Sequence, residues 1–339
     1  MNCSRLLALA LLLALPTQKA AAETVIKFAT LAPQGSTWMR VMDEFSAEVL
    51  AKTGGEVKFK TYAGGVQGDE KDVLRKIRLG QLHGGGFTGV GLGEIAPSVR
   101  VLDAPFLFKN SAEIDGIHAA FDPELRKYFE DGGYVLLGWA EVGLVYIYTA
   151  QRVEKPADLR PVKMWTWEGD PVAEAALRAL NVSPIPLSVT DVMSSLQTGM
   201  INGVYGSPLS VIAMQWFTKT KYMLGLPITN ASGAAVMSKQ MFSRLKPEHQ
   251  KIVLELGDKH FARLTALSRE DNAKSVETLK KQGITVVAPA PQAQSDFESA
   301  GINARQALAG KLYTPDLLGR VEKKLEQLRQ GPVKNDKKK

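Results

Sequence analysis

The stretch from Pro247 to Gln282 opens with proline in a first helical turn and closes on Gly283, the two signals that start and stop a helix. Read as one helix, its ~35 residues would span ~50 Å, well beyond the ~30 Å width of a small domain. A rod of that length inside a mixed α/β chain runs across two lobes, so each lobe is assembled from separate pieces of chain. The alternative is two helices broken near Asp271-Asn272. Length agrees with the first reading. A chain of 339 residues exceeds the size at which a single core stops growing. Its 45% hydrophobic and 23% charged residues lie within the range of soluble globular proteins, which excludes collagen-like, disulfide-miniprotein and disordered classes.

The formal charge of +7 invites a nucleic-acid reading, yet the positive residues sit at the ends. Arg5 precedes the apolar run Leu6 to Leu15, then come Pro16 and the small residues Ala20-Ala21-Ala22, the order of a secretory signal. Ten apolar residues are too few to span a bilayer. Cleavage after Ala22 would leave 317 of the 339 residues, remove Arg5 and Lys19, and lower the charge to +5. The tail, residues 331–339, carries four Lys and one Asp, so the folded body holds about +2. No stripe of Lys/Arg interleaved with aromatics is present, so nucleic acid is not an expected partner. Cys3, the single cysteine, lies ahead of the apolar run and not at the cleavage point, which disfavours a lipid anchor. The exported chain would then lack thiols, and with them disulfides, a Cys nucleophile and thiolate metal ligands.

Thr24 to Leu31 reads as a strand, Ser36 as the cap of a helix to about Lys52 that Gly54-Gly55 stops, Val57 to Tyr62 as a second strand, and Asp69 as the opening of a helix through Leu79. This order predicts an α/β fold with largely parallel pairing. Further helices are expected from Ser111, from Pro171 and over about Asp191 to Thr198.

The chemistry of reacting groups is thin. His83, His118, His249 and His260 are scattered without metal-ligand spacing, and no G-x-S-x-G occurs. Gly84 to Gly91 satisfies G-x-G-x-x-G but comes after a helix end, so it reads as a short strand and loop where backbone approaches a ligand or another segment. Neither metal nor cofactor is expected. Glu141 with Asp170 or Glu168 is the one carboxylate pairing that an enzyme could use, and no spacing brings these residues together.

Several segments, in order, resemble the DctP family of periplasmic solute-binding proteins of TRAP (tripartite ATP-independent periplasmic) transporters. They are Leu31-Ala32-Pro33-Gln34-Gly35-Ser36, Gly68-Asp69-Glu70, Val101 to Phe108, Lys155 to Arg160, Pro184 to Ser188, Leu196 to Gly199, Ile201-Asn202-Gly203 and Ser207-Pro208-Leu209. The resemblance implies a bilobed binding protein with a ligand cleft between two α/β lobes and a long helix bridging them. It is non-catalytic, exported to the periplasm, and hands a small solute to the small and large membrane subunits of a permease; some relatives use a periplasmic helper of helical repeats. The lobes are expected over 23–143 plus 232–270 and over 144–231 plus 271–330.

One departure from the family pattern shapes the ligand expectation. Relatives that bind organic acids carry an Arg in the strand after the segment that here reads Asp158 to Lys163, and this chain has Trp165 there. A second family arginine would fall at Leu144 or Val145 and is also missing. A carboxylate taken into a closed cleft without a paired cation meets a desolvation penalty of several kcal/mol. An indole instead offers ~150–250 Å² of apolar area. The expected ligand is therefore small, neutral, and hydrophobic or amphipathic. Of Trp165 and Trp167 only one is expected to face the cleft, and family position selects Trp165. Trp38, Phe87, Thr88 and Tyr205 are candidates for the rest of the wall, with Gln34, Glu141, Ser207 and Asn230 as polar contacts. Trp165 as a plain core residue, and Trp216-Phe217 packing onto a sheet, are the competing readings. An acid site rebuilt from Arg152, Arg160 or Lys163 is the alternative, and a periplasmic lipid or protein adaptor is a further one.

Overall fold

The computed structural model describes residues 23–331. The expected export signal at 1–22, and all but the first residue of the basic tail, lie outside the described residues. The first part of the chain runs β1 (Thr24–Thr30), α1 (Thr37–Lys52), β2 (Val57–Tyr62), α2 (Glu70–Arg78), β3 (Gly84–Thr88), α3 (Gly89–Ile95), α4 (Ser111–Asp131) and β4 (Tyr134–Trp139). It continues through β5 (Gly143–Thr149), β6 (Trp165–Trp167), α5 (Pro171–Ala179), β7 (Ile185–Leu187), α6 (Val192–Thr198), β8 (Gly203–Gly206), α7 (Pro208–Ala213), β9 (Tyr222–Leu224) and β10 (Thr229–Ala231). The remainder is β11 (Gly233–Ser238), α8 (Lys239–Phe242), α9 (Pro247–Lys281), β12 (Thr285–Val287), α10 (Gln294–Leu308) and α11 (Pro315–Gln330).

The local signals act as their chemistry demands. The Ser36 hydroxyl accepts from the Met39 amide to cap α1, and the Asp69 carboxylate accepts from the Glu70 amide to cap α2. Gly80, at φ +72°, takes the chain out of α2 in a conformation that L side chains rarely adopt. The inward residues of β1, Ile26 and Phe28, pack with Met42, Phe45 and Val49 of α1.

Two five-stranded sheets form the lobes. The first has the order β2-β1-β3-β11-β4; in the second β5 lies between β10 and β9, with β12 beyond β9 and β8 also on β5, and β6 and β7 make a separate pair. β1 pairs in parallel with β2 and β3, as helix-linked strands do. The sheets are mixed all the same, which corrects the expectation of largely parallel pairing. β11 runs antiparallel to both β3 and β4, and β5 antiparallel to β8, β9 and β10. The reason is topological: β11 enters the first sheet on the return from the second lobe, so it arrives from the opposite end.

Four connections cross between the lobes, one of them the link from α10 to α11. Two are extended and bonded to each other: the Ala140 amide donates to the Gly233 carbonyl at 2.7 Å and the Val142 amide to the Ala231 carbonyl at 3.1 Å. Gly233 is needed there, because a Cβ would fall 2.2 Å from the Ala140 oxygen. The fourth is α9, one continuous helix of 35 residues with no break at Asp271-Asn272. Val253, Leu256, Phe261 and Leu264 lie in the core with α1 residues, while Leu279 joins the core around Trp165. Asn272 ties α9 to both neighbours, donating to the Val142 carbonyl at 2.8 Å and accepting from the Leu209 amide at 2.9 Å.

One expected boundary needs correction. Residues 271–330 are expected in the second lobe, but α11 packs on α4 and adds Leu317, Leu318, Val321 and Leu325 to the first-lobe core. α10 packs on α5, with Phe297 in the second-lobe core.

Candidate functional site

A cavity of about 560 Å³ lies between the two sheets, and all ten candidate residues line it: Gln34, Trp38, Phe87, Thr88, Glu141, Trp165, Trp167, Tyr205, Ser207 and Asn230. Gln34 is exposed at its mouth. On the first-lobe side, Trp38 rests against the backbone of β3. Gly86 permits this, since a Cβ there would fall 2.3 Å from the Trp38 ring. The glycine-rich stretch is thus a strand that lets an aromatic ring approach, as expected; it leads into the helix α3, capped by Thr88, rather than into a loop.

The second-lobe side is aromatic. Trp165 stacks on Tyr205 at 4.8 Å between centroids, meets Trp216 edge-on at 5.3 Å and lies 6.0 Å from Trp167. Both Trp165 and Trp167 line the cavity, which corrects the expectation that only one would. Residues two apart in a strand project from the same face. Trp165 is also a core residue, 1% exposed, so the two readings of it are not exclusive. Trp216, expected only to pack, lines the cavity too.

Hydrogen bonds fix these rings. Trp165 Nε1 donates to the Leu187 carbonyl at 3.0 Å, Trp167 Nε1 to Asp69 Oδ2 at 3.0 Å, and the Trp167 amide to the Tyr205 hydroxyl at 3.1 Å. Ser207 caps α7 by accepting from the Ser210 amide at 3.2 Å.

The charged residues arrange themselves in a way the sequence reading missed. Arg100 lines the cavity but is 3% exposed and committed: its Nε lies 2.9 Å from Asp103 Oδ2, and its second nitrogen donates to Asp170 Oδ1 at 2.7 Å. Burial pulls the Arg100 pKa down, and the two carboxylates more than restore it. Burial pushes Asp103 up, against Arg100 and the Ser232 amide. An arginine inside the apolar run Val99-Arg100-Val101-Leu102, three residues ahead of Asp103, was the available signal for a buried ion pair.

Glu70 is buried on the cavity wall and accepts from the Thr88 and Gly91 amides, each at 2.7 Å. Burial outweighs these donors and raises its pKa to about 8. Glu141 is held by Arg269 of α9 at 2.6 Å, and Arg269 in turn binds Asp115 at 2.7 Å. Of the three carboxylates considered for an enzyme, Glu141 is bound to Arg269 and Asp170 to Arg100, and Glu168 is exposed and outside the cavity lining. The cations considered for an acid site are absent from the cavity lining: Arg152 pairs with Glu154, and Lys163 donates to the Gly199 carbonyl. Among the described residues no group of three or more His, Cys, Asp or Glu side chains could hold a metal ion, and no helix is long and apolar enough to cross a membrane.

Two α/β lobes, four crossings that include a long helix, and an open-mouthed cavity between the lobes define a two-lobed binding protein. The family model DctP, bacterial extracellular solute-binding protein, family 7, matches residues 28–311, and the chain belongs to that family. A solute-binding protein of Verminephrobacter eiseniae is 31% identical over 290 residues, covering 84% of this chain and 86% of its own length. A TRAP periplasmic solute-binding protein of Sulfitobacter, solved with bound β-D-galacturonate, superposes with a TM-score of 0.82 at 25% identity over 88% of this chain and 100% of its own. One from Pseudomonas putida F1, solved with bound D-glucuronate, gives 0.80 at 26% identity over 88% and 97%. The fold class is therefore the bilobed one expected, and the protein is a TRAP solute-binding protein whose class serves membrane transport.

Proposed function

We propose that the protein is exported to the periplasm, captures a small neutral ligand with an apolar or amphipathic body, and delivers it to the small and large membrane subunits of its permease. The observation that carries the ligand class is the commitment of Arg100. Its charge is shared between Asp103 and Asp170, and the other arginine of the lining, Arg40, is exposed and donates to the Gly35 carbonyl and the Thr37 hydroxyl. Glu141 adds a further acid to the wall, and Trp165, Trp167, Tyr205, Trp216, Trp38 and Phe87 supply apolar surface. Covering one indole removes ~150–250 Å² from water, worth ~4–6 kcal/mol at ~25 cal/mol/Å² as an upper bound.

A second reading has its own support: the Sulfitobacter and Pseudomonas proteins hold uronates, and Arg100 does line this cavity. An acid that displaced Asp170 would find a guanidinium beside it. Native mass spectrometry of the exported protein and a thermal-shift series separate the two. A ligand at 100 times its dissociation constant stabilises by ~2.7 kcal/mol. A neutral apolar mass that co-purifies, with no shift from D-glucuronate or D-galacturonate, is the expected result. A shift with either uronate replaces this reading with the acid one. Co-purification with the permease subunits, or with a helical-repeat helper, tests the partners.

A further inference from the structure

We infer that Asn230 selects the ligand, and that the ligand presents a hydrogen-bond donor and acceptor side by side, as a carboxamide or lactam does. The inference rests on the neutral-ligand reading and narrows it. Asn230 lies on β10, beside the crossing into β11, and lines the cavity while only 1% exposed. Its Nδ2 and Oδ1 are both buried and both lack a protein partner. Among the described residues lining the cavity, it is the one side chain whose donor and acceptor are both left so. Five other polar side chains of the wall are engaged, while Arg100 Nε, close to Asp103, makes no hydrogen bond. Thr88 is engaged with Glu70, Ser207 with Ser210, Trp165 with Leu187, Trp167 with Asp69, and Glu141 with Arg269.

Buried polar groups in folded proteins nearly always have partners, so an amide left with none has a reason. Here the reason is a ligand edge. Nδ2 requires an acceptor and Oδ1 a donor, which a carboxylate cannot supply because it has no proton to give. The surroundings add to that bias. Asp103 reaches the segments on either side of Asn230, accepting from the Ser232 amide at 2.8 Å and, through its carbonyl, from the Thr229 hydroxyl. Asn230 also borders a second cavity of about 490 Å³ behind the cleft, where the Ser232 hydroxyl is likewise buried without a partner. Occupation of the amide from that rear side is the competing outcome.

The probes are phenylacetamide and phenylacetate, which share an apolar ring and differ in the edge presented, with D-glucuronate as a third arm. Binding is read by tryptophan fluorescence and by thermal shift. Expected are saturable binding of phenylacetamide to the parent, at least about tenfold weaker binding of phenylacetate, and at least about tenfold loss of phenylacetamide in Asn230→Leu, the factor that one unpaired buried group imposes. The ligand-free Asn230→Leu protein is expected to melt no lower than the parent, because an unpartnered amide has been removed. If that variant does not fold, Asn230→Asp, which keeps shape and acceptor but loses the donor, carries the same test. Unchanged phenylacetamide binding in either variant overturns the role of Asn230 and leaves the neutral-ligand reading standing; it is also the result expected from rear-side occupation. Phenylacetate binding as tightly as the amide, or no amide binding at millimolar concentration, overturns the ligand edge. D-glucuronate binding overturns the neutral reading itself.

Discussion

The guanidinium of Arg100 donates to the carboxylate of Asp170 at 2.7 Å, and both side chains are almost fully buried. Arg100 lies in the short helical segment Pro97–Asp103 of the first lobe, and Asp170 caps α5 in the second, so the pair is a bond between the lobes at the wall of the ligand cavity.

Removing the Asp170 charge tests this bond. Asp170→Asn keeps an acceptor for the Val172 amide but leaves Arg100 with Asp103 alone. The variant is expected to lose about 3 kcal/mol of stability, the scale of breaking a buried pair, in urea unfolding. It is also expected to gain thermal stabilisation by D-glucuronate that the parent lacks, since a guanidinium has been released into the cleft.

A second bond between the lobes lies at the cleft rim. Asp69, the cap of α2, accepts from the Ser188 hydroxyl at 2.6 Å and from Trp167 Nε1 at 3.0 Å. Ser188→Ala removes the first of these without touching the cap. One such bond is worth about 1 kcal/mol, roughly a fivefold shift toward the open form. Small-angle scattering of the ligand-free variant should show a larger radius of gyration than the parent.

Glu70 predicts how stability depends on pH. Its folded-state pKa of about 8 lies above the ordinary 4.5, so the protonated carboxyl is the form that folding favours. Its contribution is whole below about pH 4.5 and is lost as pH rises through about 8. The parent should lose melting temperature across that window relative to Glu70→Gln, whose amide does not titrate. Equal slopes for the two proteins would contradict the assignment.

Trp165→Ala opens a cavity in the second-lobe core and removes one of the two donors to the Leu187 carbonyl, which keeps the Glu168 amide. A cost of about 3–5 kcal/mol is expected in urea unfolding, together with loss of binding for any ligand that the parent retains on purification.

Gly233→Ala tests the crossing. A Cβ at that position meets the Ala140 carbonyl oxygen, which is backbone and cannot swing aside. The variant is expected to lose about 1–3 kcal/mol by crowding alone, read as a lower urea midpoint with an unchanged slope.

The local elements were legible in the sequence because their causes are local. Pro247 and Gly283 bound α9, and Ser36 and Asp69 cap the helices they precede, all through contacts within a turn. The arginine missing at Trp165 and the aromatic lining were legible as well, through the family pattern. A position in the chain cannot reveal who meets it from elsewhere. The partnership of Arg100 with Asp170 spans 70 residues, that of Glu141 with Arg269 spans 128, and α11 returns to α4 across the whole molecule. The isolation of Asn230 depends on where Glu70, Ser210, Leu187, Asp69 and Arg269 engage the other polar side chains of the wall. Burial and pairing are properties of the assembled lobes, and they alone decide which of the many polar side chains remain available to a ligand.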